Sequence, residues 1–246
     1  MRIINYILVF CYFFIMATLQ SIAQDEKITK TDLQYWTDGL YYYTDRSYTS
    51  ASEEFENLTH NYPYSQYAHN ALLMEIYTNY INNEKDKIAG IAEVFYRLFP
   101  LDEDTPYVMY MQAMADFSMI KDEKTNLDKM VESEKNFKNL IQLYPESIYS
   151  KDAMRKIEFL DIIKQLNDLH SAEVFQKRKK YYGAIRRYTG LFNTYSSNIN
   201  KKVEEIALCR LIGITKTLKL ENESKKYKDL FNQKQYDINK CKYDNN

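Results

Sequence analysis

Glycine and proline are scarce in this sequence, with 5 and 4 copies among 246 residues. Average usage of about 7% and about 5% would give roughly 30 of the two together. Glycine-rich phosphate loops, tight hairpins and runs of short strands rely on these residues for positive φ and for turns. Their scarcity argues against a multi-stranded sandwich, a propeller, and a Rossmann or P-loop nucleotide site. Histidine is also rare: His60, His69 and His170 stand without ligand spacing, and no Cys-x-x-Cys occurs. Neither a metal nor a cofactor is expected. No Ser/His/Asp or Cys/His constellation points to catalysis. The acid pairs Glu53-Glu54 and Glu132 with Glu134 fit solvated helix faces. The expectation is a non-enzymatic binding protein with no catalytic residues and no small-molecule substrate.

Aromatic residues, by contrast, are in surplus: 24 Tyr, 12 Phe and 1 Trp. A hydrophobic fraction of 45% supplies an ordinary core. The length suits one large domain or an array of small units.

The first 23 residues carry a single charge, Arg2, followed by the apolar run Ile3 to Leu19. With the small-x-small end at Ser21 and Ala23, they read as a secretory signal peptide cut between Ala23 and Gln24. An uncut membrane anchor is the alternative, since such a stretch can reach across a bilayer. Lipidation at Cys11 is a third possibility, disfavoured by the bulky Phe10 before it. Export places the remaining thiols in an oxidising compartment. Cys209 and Cys241 form an even pair that permits a disulfide. Cys209 sits in an apolar helical stretch and Cys241 in a polar tail. A buried small hydrophobe and a separate tail thiol is the simpler reading.

Formal charge is −1 overall but unevenly distributed. Residues 24–175 hold 15 basic and 27 acidic side chains, net −12, whereas residues 176–246 hold 17 and 7, net +10. The basic part starts abruptly at Lys177-Arg178-Lys179-Lys180. Such asymmetry orients partners by sign. An exported protein meets little nucleic acid, so an acidic protein face or an anionic membrane surface is expected instead. A solvated helix face is the plainer explanation of each charge run.

Self-similarity gives the strongest signal. The segment Asn57-Leu58-Thr59-His60-Asn61-Tyr62-Pro63-Tyr64-Ser65-Gln66-Tyr67 returns 82 residues later as Asn139-Leu140-Ile141-Gln142-Leu143-Tyr144-Pro145-Glu146-Ser147-Ile148-Tyr149. Each copy has a Phe eight residues before its Pro (Phe55, Phe137) and an Ala eight after it (Ala71, Ala153). Proline drives its predecessor out of the α region and stops a helix. Ser65 or Ser147 is then placed to cap the next one. Phe99-Pro100 and Tyr195-Ser196 are weaker copies, so landmarks fall at 63, 100, 145 and 196. The spacing is a stretched version of the tetratricopeptide period of about 34 residues.

Aligned on the Pro, Gly39, Tyr42, Ala51, Phe55, Leu58 and Pro63 occupy the repeat's small, Tyr, Ala, Phe, apolar and Pro positions. Ala172, Phe175, Ala184, Tyr188 and Leu191 do so in the fourth unit, and Phe137, Leu140 and Pro145 in the third. Small residues let paired helices approach, and Phe55, Phe137 and Tyr188 fill the space between pairs. The fold class expected is all-α: a tetratricopeptide-repeat superhelix, or α-solenoid, of about five helix pairs. The pairs are predicted at 32–45 with 48–62, 66–82 with 85–98, and 104–119 with 127–143. Two more follow at 148–178 with 181–194 and 201–219 with 221–235. Lys121 to Leu127 reads as a polar insertion, residues 24–236 as the repeat domain, and 237–246 as a polar, frayed tail.

The run from Tyr48 to Ala71, with Phe-x-x-Leu-x-x-x-Tyr-Pro-x-Ser-x-Tyr, resembles the BamD family of tetratricopeptide lipoproteins. So do the elongated third unit and Tyr144-Pro145-x-Ser147-x-Tyr149. Tyr181-Tyr182-Gly183-Ala184-Ile185-Arg186-Arg187-Tyr188 looks like that family's fourth repeat. The resemblance spans 24 to about 235. It implies a scaffold at the periplasmic face of the outer membrane of a Gram-negative bacterium, within the β-barrel assembly machinery. It also implies peripheral membrane association, C-terminal repeats holding the periplasmic domains of the barrel protein BamA, other complex subunits, and N-terminal repeats engaging unfolded outer-membrane proteins. Arg187, beside Arg186, matches an Arg that the family sets against an acidic residue of BamA. One departure is the lack of a good lipobox, since the family is usually lipidated on a Cys at its mature N-terminus. A soluble periplasmic repeat adaptor acting in cell-envelope or division processes is the alternative that the fold alone also allows.

Overall fold

The computed structural model describes residues 30–120, 127–237 and 241. Among them are ten α-helices, one short 3-10 turn (Lys85–Lys87) and no strand. In chain order they are α1 (Asp32–Thr44), α2 (Tyr48–Asn61), α3 (Ala68–Ile81), α4 (Ile88–Leu98) and α5 (Thr105–Ser118). Then come α6 (Leu127–Leu143), α7 (Ile148–Lys177), α8 (Tyr181–Thr194), α9 (Lys201–Thr217) and α10 (Glu221–Gln233). The protein is all-α, as its sequence predicts, with helix ends within a few residues of the expected ones. Residues 1–23, the Ala23–Gln24 cut, Cys11 and residues 121–126 of the insertion lie outside the described residues. The chain divides into two units between Asn83 and Glu84.

In the first unit a capping box starts α1. The Gln34 amide donates to Thr31 Oγ1 (3.2 Å), and the Thr31 amide donates to Gln34 Oε1 (2.8 Å). Helix α2 packs on α1 at Gly39, where an added Cβ would stand 2.5 Å from the Phe55 ring. Gly39, Ala51, Phe55 and Leu58 are buried together with Ala71, Leu72 and Ile76 of α3. The Trp36 ring lies 5.6 Å from Phe55 and is stacked at 5.8 Å on Tyr67. Tyr42 is half-buried, edge-on to Tyr41. Tyr62, just before Pro63, closes α2 as expected. The expected Ser65 cap is displaced: α3 begins at Ala68 with Tyr67 as its N-cap residue. Ser65 Oγ accepts from the Tyr67 amide (3.1 Å) and donates to Asp32 Oδ2 (2.7 Å). The hydroxyl joins the turn to the start of α1 because Asp32 is a stronger acceptor than a neutral partner.

In the second unit α5 and α6 enclose Ala113, Met130, Phe137 and Leu140, joined by Ala153 and Leu160 of α7. Pro145 follows Tyr144, and Ser147 caps α7 by accepting from the Tyr149 amide at 3.2 Å. Helix α7 runs 30 residues, about 45 Å at 1.5 Å per residue. Its C-terminal half serves a second core, with Leu169 and Ala172 against Ala184, Tyr188 and Leu191 of α8 and Val203, Ala207 and Leu211 of α9. Tyr188 is fully buried, and its hydroxyl donates to Gln176 Oε1 at 2.8 Å. Burial, followed by the nearby Glu173 charge, raises its pKa. The fourth unit has no proline at its landmark. The buried Gln165 holds the turn after α8 instead, donating to the Asn198 carbonyl (3.2 Å) and accepting from the Asn200 amide (2.6 Å). Tyr195 donates to Asp168 (2.9 Å) in the same turn.

Glycine scarcity does not keep the backbone out of the left-handed region. Among the described residues, six non-glycine residues have positive φ between 56° and 66°: Arg46, Asn83, Leu101, Lys179, Lys219 and Gln235. At Arg46, Lys179 and Lys219 the chain leaves a helix through paired bonds. The Ser47 amide reaches the Tyr42 carbonyl (2.9 Å), that of Lys180 reaches Phe175 (2.9 Å), and that of Leu220 reaches Thr215 (2.9 Å). These bonds satisfy the last carbonyls of α1, α7 and α9 in the manner of a Schellman motif.

The C-terminus corrects one expectation. Cys209 and Cys241 are not separate thiols but a disulfide, with Cα atoms 5.4 Å apart and a sequence separation of 32. Cys241 is buried with Leu208, Ile212 and Phe231. Tyr236 packs on Phe231 (5.3 Å) and donates to Glu204 Oε2 (2.6 Å). Tyr236 and Cys241 are thus both held against the last helix pair.

Candidate interaction surface

The C-terminal end of α7 and the start of α8 carry a concentration of basic side chains. Lys177, Arg178, Lys179 and Lys180 are all exposed, as are Arg186 and Arg187 two turns into α8. Of these, Arg187 has the most defined surroundings. Its guanidinium carbon lies 4.3 Å from the centre of the Phe175 ring. Its Nη1 donates to Ser171 Oγ at 2.9 Å.

Three local features produce this arrangement. Phe175 and Ser171 are four residues apart on α7, so both face the same flank of α8. Gly183 then makes room for the ring: a Cβ at that position would stand 2.7 Å from Phe175 Cδ1. On α8, Ala184 and Tyr188 point into the core, which leaves Arg187 on the flank beside Phe175. A guanidinium lying on an aromatic face is held electrostatically by the ring.

Arginine has five N–H donors in a planar fork, and only one is used by Ser171. Among the described residues Arg187 has no carboxylate partner, whereas Arg210, further along, is paired with Glu173 at 3.5 Å. A planar, pre-oriented cation with free donors is suited to a carboxylate approaching from solvent. The sequence singles out Arg187 and assigns Phe175 to repeat packing. The supporting parts played by Ser171 and Gly183 have no distinctive sequence signal, because a Ser on a helix flank and a Gly in a repeat are both common.

The family model described as YfiO, outer membrane lipoprotein, matches residues 28–230. The chain belongs to that family. Its relatives include proteins named outer membrane protein assembly factor BamD. The one from Rickettsia prowazekii is 24% identical over 192 residues, covering 78% of this chain and 75% of its own length. That from Neisseria meningitidis serogroup A is 26% identical over 215 residues, covering 79% and 77%. The Vibrio cholerae protein is 28% identical over 159 residues, covering 61% and 66%. The family span takes in the Arg187 face and Cys209 and ends before Tyr236 and Cys241. Among the described residues no helix is long and apolar enough to cross a membrane.

Proposed function

We propose that this protein is a non-catalytic scaffold in outer-membrane protein assembly, at the periplasmic face of the outer membrane. Family membership over residues 28–230 supports the general role. The more specific reading is that the Arg187 face binds an acidic residue on the periplasmic domains of a BamA-type barrel protein. The first helical unit would engage unfolded outer-membrane clients. The observation that carries the contact is the guanidinium fixed on Phe175 and Ser171, exposed and without a carboxylate partner among the described residues. A desolvated Arg–carboxylate pair is directional, and loss of one member costs about 2–5 kcal/mol.

Crosslinking in intact cell envelopes tests the role. The protein should be recovered with a β-barrel protein that bears periplasmic domains, and Arg187→Glu should abolish that adduct. Recovery that ignores both Arg187 and salt would overturn the electrostatic contact. Recovery of envelope-division or cell-wall proteins alone would overturn the assembly role.

A further inference from the structure

A second polar surface lies on the last helix pair, apart from the Arg187 face. There α9, the turn after it and α10 enclose a groove of about 460 Å³. Lys216 and Lys219 line one side, and Lys225 and Lys228 the other. Among the described residues none of the four lysines has a carboxylate within ion-pair distance, although Glu221 and Asp229 also line the groove. Four ammonium groups around one concavity repel one another, and an anionic ligand would relieve that repulsion.

We propose that this groove binds a short acidic segment of a partner protein in extended conformation. The lining on α10 runs from Glu221 to Asn232, about 16 Å along a helix axis, which matches about five extended residues. Side chains of an extended chain alternate in direction, so successive acidic residues would meet the two lysine rows in turn. Ser224 at the floor adds a neutral polar group for the peptide backbone. Leu220 is the groove's one apolar side chain, leaving little to enter acyl chains. This surface is independent of the Arg187 contact.

The test is fluorescence anisotropy of the purified protein with a labelled ten-residue oligoglutamate. The expected result is saturable one-to-one binding, weakened at least tenfold by Lys225→Glu with Lys228→Glu. The neutral pair Lys225→Gln with Lys228→Gln should weaken it less, and Lys177→Glu with Lys180→Glu should have a smaller effect than the α10 charge reversals. Thermal melts of each variant separate lost binding from lost folding. Binding that survives the α10 charge reversals, or falls equally with the Lys177 and Lys180 changes, would overturn the proposal. It would also be overturned if phosphatidylglycerol vesicles or inorganic phosphate engage these lysines and the peptide does not.

Discussion

The ring of Phe175 occupies the space into which a side chain on residue 183 would project, 2.7 Å from the position of its Cβ. The same ring carries the Arg187 guanidinium. Gly183→Ala therefore forces Phe175 to move and disturbs the surface that orients Arg187. Overpacking of this kind costs about 1–3 kcal/mol. A lower Tm together with weaker partner capture is expected. Phe175→Leu should reduce capture with a smaller loss of stability, because it removes the cation–ring contact but keeps apolar volume.

Gly39 and Phe55 stand in the same relation at the other end of the chain, and here the ring is fully buried. Gly39→Ala should destabilise the first unit by about 1–3 kcal/mol, read by urea denaturation. Combining it with Phe55→Leu should restore part of the loss, a coupling that distant, independent sites would not show.

The left-handed turn residues offer a change in the opposite direction. A non-glycine residue at this φ is strained by about 1–2 kcal/mol. Lys219→Gly removes that strain but adds freedom to the unfolded chain. The net expectation is about 0.5–1 kcal/mol of added stability, visible as a higher Tm. Arg46→Gly should act alike.

Reduction of the Cys209–Cys241 bond opens a 32-residue loop. Loop-closure entropy places its contribution at about 3–4 kcal/mol. Thermal unfolding under reducing conditions should start earlier, with Tyr236 and residue 241 released first. The double change Cys209→Ser with Cys241→Ser should reproduce that profile and be insensitive to reductant.

Glu134 gives a pH dependence. Burial pushes its carboxyl up, but hydrogen bonds from Lys138 (2.7 Å) and Lys164 outweigh it, and the pKa falls below the ordinary 4.5. A depressed carboxyl stabilises the fold above its unfolded value and loses that contribution as pH falls. The Tm difference between the protein and Glu134→Gln should be full at pH 7 and shrink as pH drops below 4.5.

Where physics is local and repeated, the sequence was readable. Tyr62-Pro63 and Tyr144-Pro145 mark helix ends because proline acts on its own neighbours, and those helices end there. Ser147 caps α7 for the same reason. Contacts set by folding at a distance were not readable. Ser65 turns to Asp32, 33 residues away, and Gln165 replaces a missing proline from 35 residues upstream of Asn200. The disulfide was hidden by its polar surroundings in sequence, since only the folded last helix pair brings Cys241 to Cys209. At the basic face, charge density was visible, but the ring that organises Arg187 was not distinguishable from repeat packing.

Helix α7 belongs to two cores, Ala153 and Leu160 in one, Leu169 and Ala172 in the other. In an array of separate pairs, each pair could open while its neighbours stay closed. Here, Phe175, which carries the Arg187 guanidinium, stands on the same continuous helix as Ala153 and Leu160, which pack around Phe137. The stretch from α5 to α9 is therefore expected to unfold as one cooperative block, its two cores joined through a single helix.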